Sequence, residues 1–201
     1  MKKQVFLLIL LALPIFGSAK VLQPDSTRHE VRIGWGDYMF ESLVYHPNHS
    51  NAEYRYTGHV FAEYQYQINN WLSAGAQVDY EQVWWKKEYI NGIKMEEPIP
   101  ANFYNIALMP TVRFTYFYNP WVALYSSVFL GLNINGGTEL NYKGKQVALS
   151  ADFGLTALGV RIGKNHWFGA LEVGGLFSLN NAHEIYLLDS RILSVSIGCR
   201  L

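Results

Sequence analysis

Residues 59–68 read HVFAEYQYQI, a stretch in which apolar and polar side chains alternate with a period of two. Because successive side chains of a β-strand point to opposite faces of the sheet, this alternation predicts a strand rather than a helix. One face is apolar, and the other holds most of the polar groups. The apolar face carries Val60, Ala62, Tyr64, Tyr66 and Ile68, and the opposite face carries His59, Phe61, Glu63, Gln65 and Gln67.

The same alternation recurs along the chain and predicts eight strands in all. The alternating segments cover residues 31–35, 59–68, 72–81, 106–116, 122–133, 149–156, 171–177 and 193–201. The phase becomes irregular near Gly159, where we expect a β-bulge. Pro110 lies on an apolar face and lacks the N–H that a sheet ladder uses, so a bulge or local irregularity is expected there too.

A repeated turn motif connects alternate pairs of these strands. It occurs as Asn70-Trp71, Asn119-Pro120-Trp121 and Asn165-His166-Trp167, with the Trp residues 50 and then 46 positions apart. The connections between these turns are longer and cover residues 38–53, 86–103, 135–146 and 179–184. Short turns at one rim and long connections at the other are typical of bacterial outer-membrane barrels, whose short turns face the periplasm. An even number of strands then predicts that both chain ends are periplasmic.

The composition indicates that the apolar strand faces meet lipid. Charged residues make up 16% of the chain, against roughly 25% in soluble domains. A lysine at the midplane of a bilayer costs roughly 2–4 kcal/mol, and beyond residue 20 the lysines fall in predicted loops or strand ends: Lys86, Lys87, Lys94, Lys143, Lys145 and Lys164. Because hydrocarbon offers no partner to backbone polar groups, the sheet must close. The prediction is an all-β, antiparallel, up-and-down transmembrane barrel.

The N-terminus has the pattern of a cleavable export signal. Two lysines precede an apolar run over residues 5–16, and Gly17-Ser18-Ala19 precede the expected cut at Lys20. The run is shorter than the about 20 residues of a spanning helix; a retained N-terminal anchor is the alternative. We therefore predict a signal peptide (1–19), a periplasmic leader (20–29) and the barrel (30–201). Cys199 is the single cysteine, so no internal disulfide is expected, and a formal net charge of zero gives no indication of nucleic-acid binding.

Two sets of residues follow from the strand phases. The first is a polar network that fills the lumen, because a barrel of eight strands is just wide enough for its own side chains; it comprises Arg32, Glu63, Asp79, Glu81, Arg113, Asp152, Glu172 and Arg200. The second is a pair of aromatic girdles at the two membrane interfaces. One girdle comprises Trp35, Trp71, Trp121 and Trp167, and the other comprises Trp84, Trp85 and Tyr89.

With its export signal, eight alternating strands, Asn-containing turns and alternating final strand, the chain resembles the small eight-stranded outer-membrane proteins, in particular the outer membrane protein β-barrel domain family. The resemblance covers the whole chain after the signal and includes no diagnostic motif. It implies insertion by the barrel assembly machinery and contact with outer-membrane lipid and lipopolysaccharide. Members of such families usually end in an aromatic residue, and this chain departs from them with Leu201.

The residues favour a non-porous barrel with a structural or interaction role in the cell envelope, with an envelope protein as partner of the external loops. An enzyme that modifies lipid A or phospholipid is the first alternative. Its candidates are His46, His49 and Ser50, with His59 nearby, but no His-x-Ser sequence occurs, and His46 and His49 lack a third ligand for a metal. We therefore predict no catalytic, cofactor-binding or metal site. A secreted lipocalin-like binder, with apolar side chains inside, is the second alternative.

The first external connection has a pattern of its own. Met39, Phe40, Leu43 and Val44 follow Asp37 at helical spacing, and Asp37 is a suitable N-cap residue. The pattern favours a short helix at the mouth of the barrel. An extension of the first hairpin is the alternative.

Overall fold

The computed structural model describes residues 28–37, 54–90, 93–137, 147–164, 166–178 and 191–201. In these ranges no helix is long and apolar enough to cross a bilayer. The predicted signal peptide, most of the leader and the predicted helix after Asp37 lie outside the described residues and stay predictions. The described chain consists of the strands β1 (His29–Asp37), β2 (Tyr54–Tyr56), β3 (His59–Gln67), β4 (Leu72–Ile90), β5 (Ile93–Tyr118), β6 (Val122–Gly136), β7 (Val147–Ile162), β8 (Trp167–Ser178) and β9 (Leu193–Arg200).

The strands form one closed antiparallel sheet. From β3 to β9 each strand pairs with the next strand along the chain, and β1 pairs with both β3 and β9, so the first and last strands join. The short strand β2 and the strand β3 both pair with β4. They are two parts of one strand position in the barrel wall, which we call a stave, and the interruption lies at Thr57 and Gly58. Counting that pair as one gives eight staves. The predicted fold class, an eight-stranded antiparallel up-and-down barrel, is confirmed.

The interruption between β2 and β3 has a local cause. Gly58 adopts a φ of 66°, in the left-handed region that L residues with a Cβ avoid. The indole Nε1 of Trp35 donates a hydrogen bond of 2.8 Å to the Thr57 carbonyl, which fixes the kink against β1. A Cβ on Gly58 would come within 2.4 Å of the Trp35 Nε1, so both the conformation and the space require glycine here.

The apolar faces point outward. Val78, Leu130 and Val195 are 47%, 60% and 41% exposed although all three are large and apolar, and they lie on three separate strands. In β3 buried and exposed residues alternate along nearly the whole strand, as the period of two predicts. A soluble protein would bury such a belt of apolar side chains, whereas a membrane-spanning barrel presents it to lipid. The lipocalin-like alternative is therefore wrong, because it requires apolar side chains inside.

Aromatic rings and glycines fill the inside together. Phe61, Tyr125, Phe129 and Phe168 are buried in the interior. The space that Tyr125 occupies exists because Gly159 faces it across the β6–β7 ladder: a Cβ on Gly159 would lie 2.3 Å from Cε2 of the Tyr125 ring. Glycine on the inner face of one strand thus accommodates a ring from the next.

The predicted connection over residues 86–103 is wrong, because the chain continues there as a hairpin. The pairs Lys86↔Pro100 and Lys87↔Ile99 extend the ladder between β4 and β5, and the hairpin ends at Ile90↔Ile93. The sequence of this segment does not alternate regularly between apolar and polar residues, so the period of two does not reveal it. Residues 135–146 and 179–184 fall partly or wholly outside the described residues.

The two predicted irregularities have different outcomes. The expected bulge near Gly159 is present, since the β7–β8 register shifts between Thr156 and Leu158. At Pro110 the β5–β6 ladder has no pair, but the register is unchanged on either side. Pro110 therefore removes one backbone hydrogen-bond donor from the ladder without forming a bulge. The register shift between β5 and β6 lies instead between Thr115 and Phe117.

Two of the three predicted short turns share one hydrogen-bond pattern, and Asn165 of the third lies outside the described residues. The Asn119 Oδ1 accepts hydrogen bonds from the backbone N–H groups of Trp121 and Val122, at 2.8 and 2.7 Å. In the first turn the equivalent acceptor is Asn69, which accepts from Trp71 and Leu72 at 3.0 and 2.9 Å. The predicted motif contains the neighbouring Asn70. The asparagine whose side chain forms this turn is therefore one residue earlier than predicted.

Candidate functional site

Buried polar groups are distributed along the barrel axis from one end of the lumen to the other. We call the end with the turns 68–71 and 119–121 and the chain end at Leu201 the short-turn end. The opposite end is the long-connection end. Of the predicted lumen network, Arg200 is only partly buried, at the short-turn end. The remaining members are buried in the interior: Arg32, Glu63, Asp79, Glu81, Arg113, Asp152 and Glu172.

Arg32 is at the centre of the interior. Its guanidinium pairs with Glu63 and, at 2.7 Å, with Glu172. It also donates to the hydroxyl of Tyr125 at 3.0 Å, and that hydroxyl donates to Glu172 at 2.9 Å. Ser194 donates a further hydrogen bond of 3.0 Å to Glu172. This central cluster links β1, β3, β6, β8 and β9 across the lumen.

A second group lies on the short-turn side of the central cluster. Arg113 pairs with Glu63 and, at 2.5 Å, with Glu30. Glu30 also pairs with Arg161 at 2.5 Å, so two guanidinium groups share one carboxylate. The Arg113 guanidinium lies 4.5 Å from the centre of the Tyr125 ring, which connects this group to the central cluster.

A third group lies toward the long-connection end. His59 is between two carboxylates, with Nδ1 at 2.8 Å from Asp79 and Nε2 at 2.6 Å from Glu81. Arg191 pairs with the other oxygen of Asp79 at 2.9 Å. With both ring nitrogens facing carboxylate oxygens, the arrangement suits a doubly protonated imidazolium, which offers two donors.

Asp152 is buried and accepts a hydrogen bond from the side-chain amide of Asn133. Asn133 belongs to a chain of polar side chains that continues to Asn135 and Ser150. The phase of β7 placed Asp152 inside correctly, but the pairing partner depends on how far β6 is shifted against β7.

Sequence reasoning omitted several members of the interior. Glu30 precedes the first alternating segment, Arg161 follows the bulge that reverses the phase of β7, and Arg191 lies before the last strand. Tyr125, a further interior residue, lies on the inner face of β6. His59 was on the polar face of the opening stretch and was considered for catalysis only, although the carboxylates at Asp79 and Glu81 had the right phase to meet it.

The group His59, Asp79 and Glu81 also has a donor set that metals use. One ligand atom from each residue lies within 4.8 Å of the other two, and all three residues are buried. A ring nitrogen with carboxylate oxygens suits a borderline metal such as Zn²⁺. In the present arrangement the charges already balance in part, because the imidazole contacts both carboxylates and Arg191 contacts Asp79. The geometry is that of an ion-pair cluster.

The predicted girdle residues separate by height. Trp71, Trp121 and Trp167 are exposed at the short-turn end, where Lys164 lies 4.7 Å above the Trp121 ring. Trp35 differs from the expected level: it pairs with Val60 and Val195, toward the long-connection end. Trp84 is exposed on β4 toward that same end. The side chains of Trp85 and Tyr89 are outside the described residues.

Comparison with known proteins found no matching family model and no matching curated protein. Among solved structures, the N-terminal β-barrel domain of Pseudomonas aeruginosa OprF is 12% identical, with a TM-score of 0.43, covering 88% of this chain and 100% of that one. Yersinia pestis Ail in complex with the heparin analogue sucrose octasulfate is 13% identical, with a TM-score of 0.41 and coverage of 87% and 97%. Ail in a phospholipid nanodisc is 14% identical, with a TM-score of 0.41 and coverage of 88% and 100%.

The class of the protein follows from its own geometry. In the described residues the antiparallel sheet closes on itself through the pairing of β1 with β9, its outer surface is apolar, and its interior holds packed polar side chains. These three properties together define a membrane-spanning β-barrel with eight staves.

Proposed function

We propose that this chain is a non-porous β-barrel of the bacterial outer membrane with a structural or interaction role in the envelope. The observation that carries the proposal is the central cluster, in which Arg32 joins Glu63, Glu172 and Tyr125 across the lumen. These side chains occupy the space that an aqueous pore would need. Outer-membrane lipid and lipopolysaccharide contact the apolar outer face, and the barrel assembly machinery inserts the chain.

Orientation is part of the same proposal. We place the short-turn end and both termini in the periplasm, because short turns face that compartment in outer-membrane barrels. The exposed Trp71, Trp121 and Trp167 at this end then lie at the periplasmic interface. Protease added to intact cells should cut in residues 38–53 and leave an epitope tag at Leu201 untouched. If the protease removes the tag from intact cells, the proposed orientation is wrong and the C-terminus is external.

Conductance in planar bilayers tests the absence of a pore. The refolded protein should give no stable open-channel current. A double variant, Arg32→Ala with Tyr125→Ala, removes the two largest side chains of the central cluster and should introduce a small conductance if it folds. A steady ohmic current from the unaltered barrel contradicts the proposal.

The external connections are proposed as the surface that meets an envelope protein. A pull-down from detergent-solubilised envelopes, repeated with residues 38–53 replaced by a short Gly/Ser linker, tests this. We expect a specific companion protein to be lost with the replacement and kept in a Lys164→Gln control at the opposite end. If the companion protein is recovered equally with and without residues 38–53, this connection does not form the binding surface.

The alternative of a lipid-modifying enzyme has little support in the described residues. His59, the only one of its candidate residues within the described ranges, is 1% exposed and contacts two carboxylates, so a lipid substrate has no access to it. His46, His49 and Ser50 lie outside those ranges. Mass spectrometry of lipid A from a deletion strain tests the alternative, and we expect an unchanged acylation pattern.

A further inference from the structure

Two guanidinium groups meet at the mouth of the short-turn end. The guanidinium carbon of Arg161 lies 5.6 Å from the centre of the Tyr118 ring and 5.4 Å from that of Phe168. The guanidinium carbon of Arg200 lies over the same two rings, at 5.6 and 5.9 Å. Two like charges are therefore held beside the same pair of rings.

Few negative charges oppose them. Glu30 pairs with Arg161, but it also pairs with Arg113. Arg200 donates a hydrogen bond of 3.0 Å to the Tyr118 hydroxyl and forms no ion pair with any carboxylate of the described residues. Withdrawing a guanidinium partly from water without a counter-charge is energetically unfavourable. Binding of an anion at this mouth is therefore favoured electrostatically.

The same residues surround a cavity. It has a volume of about 40 Å³ and is lined by Arg113, Arg161, Arg200, Glu30 and Tyr118, among others. A single water needs roughly 10–15 Å³ of such volume, so the cavity has room for a few waters or for one small anion.

Unused donors belong to these lining residues. The Nε atoms of Arg113, Arg161 and Arg200 are buried and have no hydrogen-bond partner in the described structure. The Arg113 side chain is only 4% exposed, so its Nε has little access to bulk water. Buried donors without partners are rare in folded proteins, and each calls for a ligand or an ordered water.

We propose that this cavity is a binding site for a small oxyanion of the phosphate type. An oxyanion supplies several acceptor oxygens at once, and the planar guanidinium fork binds such groups through paired hydrogen bonds. Its charge offsets the excess of Arg161 and Arg200, and its oxygens are the acceptors that donors without a partner in the described structure require. The site is independent of the role proposed above for the barrel.

Titration of the folded barrel with inorganic phosphate tests the proposal. Isothermal titration calorimetry is done in a non-ionic detergent, with sodium chloride keeping the ionic strength constant. We expect saturable binding of one phosphate per barrel. Arg200→Gln should weaken it by roughly tenfold, because one charge-assisted fork is lost. Lys164→Gln is the matched control, since Lys164 is a cation at the same rim that does not line the cavity, and it should leave the affinity unchanged.

A second variant gives a result that misfolding cannot imitate. Glu30→Gln removes the carboxylate that competes for Arg113 and Arg161, so phosphate should bind more tightly to this variant than to the unaltered barrel. Heat-modifiable migration in a denaturing gel confirms that each variant is folded. The proposal is overturned if phosphate gives no saturable signal above chloride, if Arg200→Gln binds as well as the unaltered barrel, or if Glu30→Gln binds less tightly.

Discussion

At the scale of single residues, charge balance inside the barrel depends on a few arginines that each serve two acidic partners. Arg32 and Arg113 share Glu63, and Glu30 is shared between Arg113 and Arg161. Removing one member of such a set leaves a buried charge uncompensated. That loss costs more than the net contribution of the ion pair itself.

Arg32→Met should therefore destabilise the barrel by about 3–5 kcal/mol. The methionine fills part of the volume but leaves Glu172 with the hydroxyls of Tyr125 and Ser194 as its hydrogen-bond donors among the described residues. Urea unfolding in lipid vesicles measures the effect. Lys164→Met, at an exposed position, should change stability by less than about 0.5 kcal/mol.

A double variant separates charge from packing. Arg113 still compensates Glu63 after Arg32→Met, so the uncompensated carboxylate is that of Glu172. Adding Glu172→Gln to Arg32→Met removes this charge and should recover much of the lost stability. If the double variant is no more stable than Arg32→Met alone, the cost came from lost packing and the charge explanation is wrong.

Interior glycines are the second feature at the residue scale. Gly159→Ala places a Cβ 2.3 Å from the Tyr125 ring, so the ring must move away from Arg32 and Glu172. We expect a loss of about 1–3 kcal/mol from overpacking, again by urea unfolding. Gly169→Ala is the control, because its Cβ meets only the Ser196 carbonyl oxygen at 3.8 Å and should be nearly neutral. Equal effects of the two substitutions would contradict the packing of Tyr125 against Gly159.

At the scale of elements, short turns capped by asparagine join β3 to β4 and β5 to β6. In both turns one Oδ1 atom accepts two backbone N–H groups that have left the ladder. The side chain thus replaces the acceptor that a further strand residue would have provided. Such turns fix where each strand begins, and with it the register of the hairpin.

Asn69→Ala should lower the stability of the β3–β4 hairpin, because two hydrogen bonds worth about 0.5–1.5 kcal/mol each are lost. The neighbouring Asn70→Ala is the matched control. Asn70 is exposed and makes no side-chain hydrogen bond in the described structure. Hydrogen exchange of the β3 and β4 amides measures the difference. Faster exchange in the Asn70 variant than in the Asn69 variant would assign the turn to the other asparagine.

At the scale of the whole molecule, the barrel separates two environments through one property, the alternation of faces. Spin labels at Val78, Leu130 and Val195 should be accessible to oxygen and shielded from a water-soluble nickel reagent, because these side chains point to lipid. A label at the exposed Lys164 should show the opposite accessibility. Nickel access at the three strand positions would mean that water, and not lipid, surrounds the barrel.

Many of the strands and their inward-facing residues can be predicted from the local sequence of each strand. The period of two located most of the strand residues of the barrel wall and assigned Arg32, Glu63, Arg113 and Glu172 to the inside. This succeeds because the face on which a side chain lies depends only on its position along its own strand. It fails at the hairpin over residues 86–103, which pairs as two strands although its sequence does not alternate regularly.

The amino-acid sequence alone therefore determined the barrel class, the number of staves and which face of each strand is polar. Only the tertiary structure decided which interior groups meet, such as Arg32 with Glu172 and His59 with Asp79 and Glu81. The tertiary structure also placed Glu30, Arg161 and Arg191 in the interior ion pairs. The physical reason is that contacts across a lumen depend on closure, stagger and bulges summed over all the strands, and no single strand contains that information.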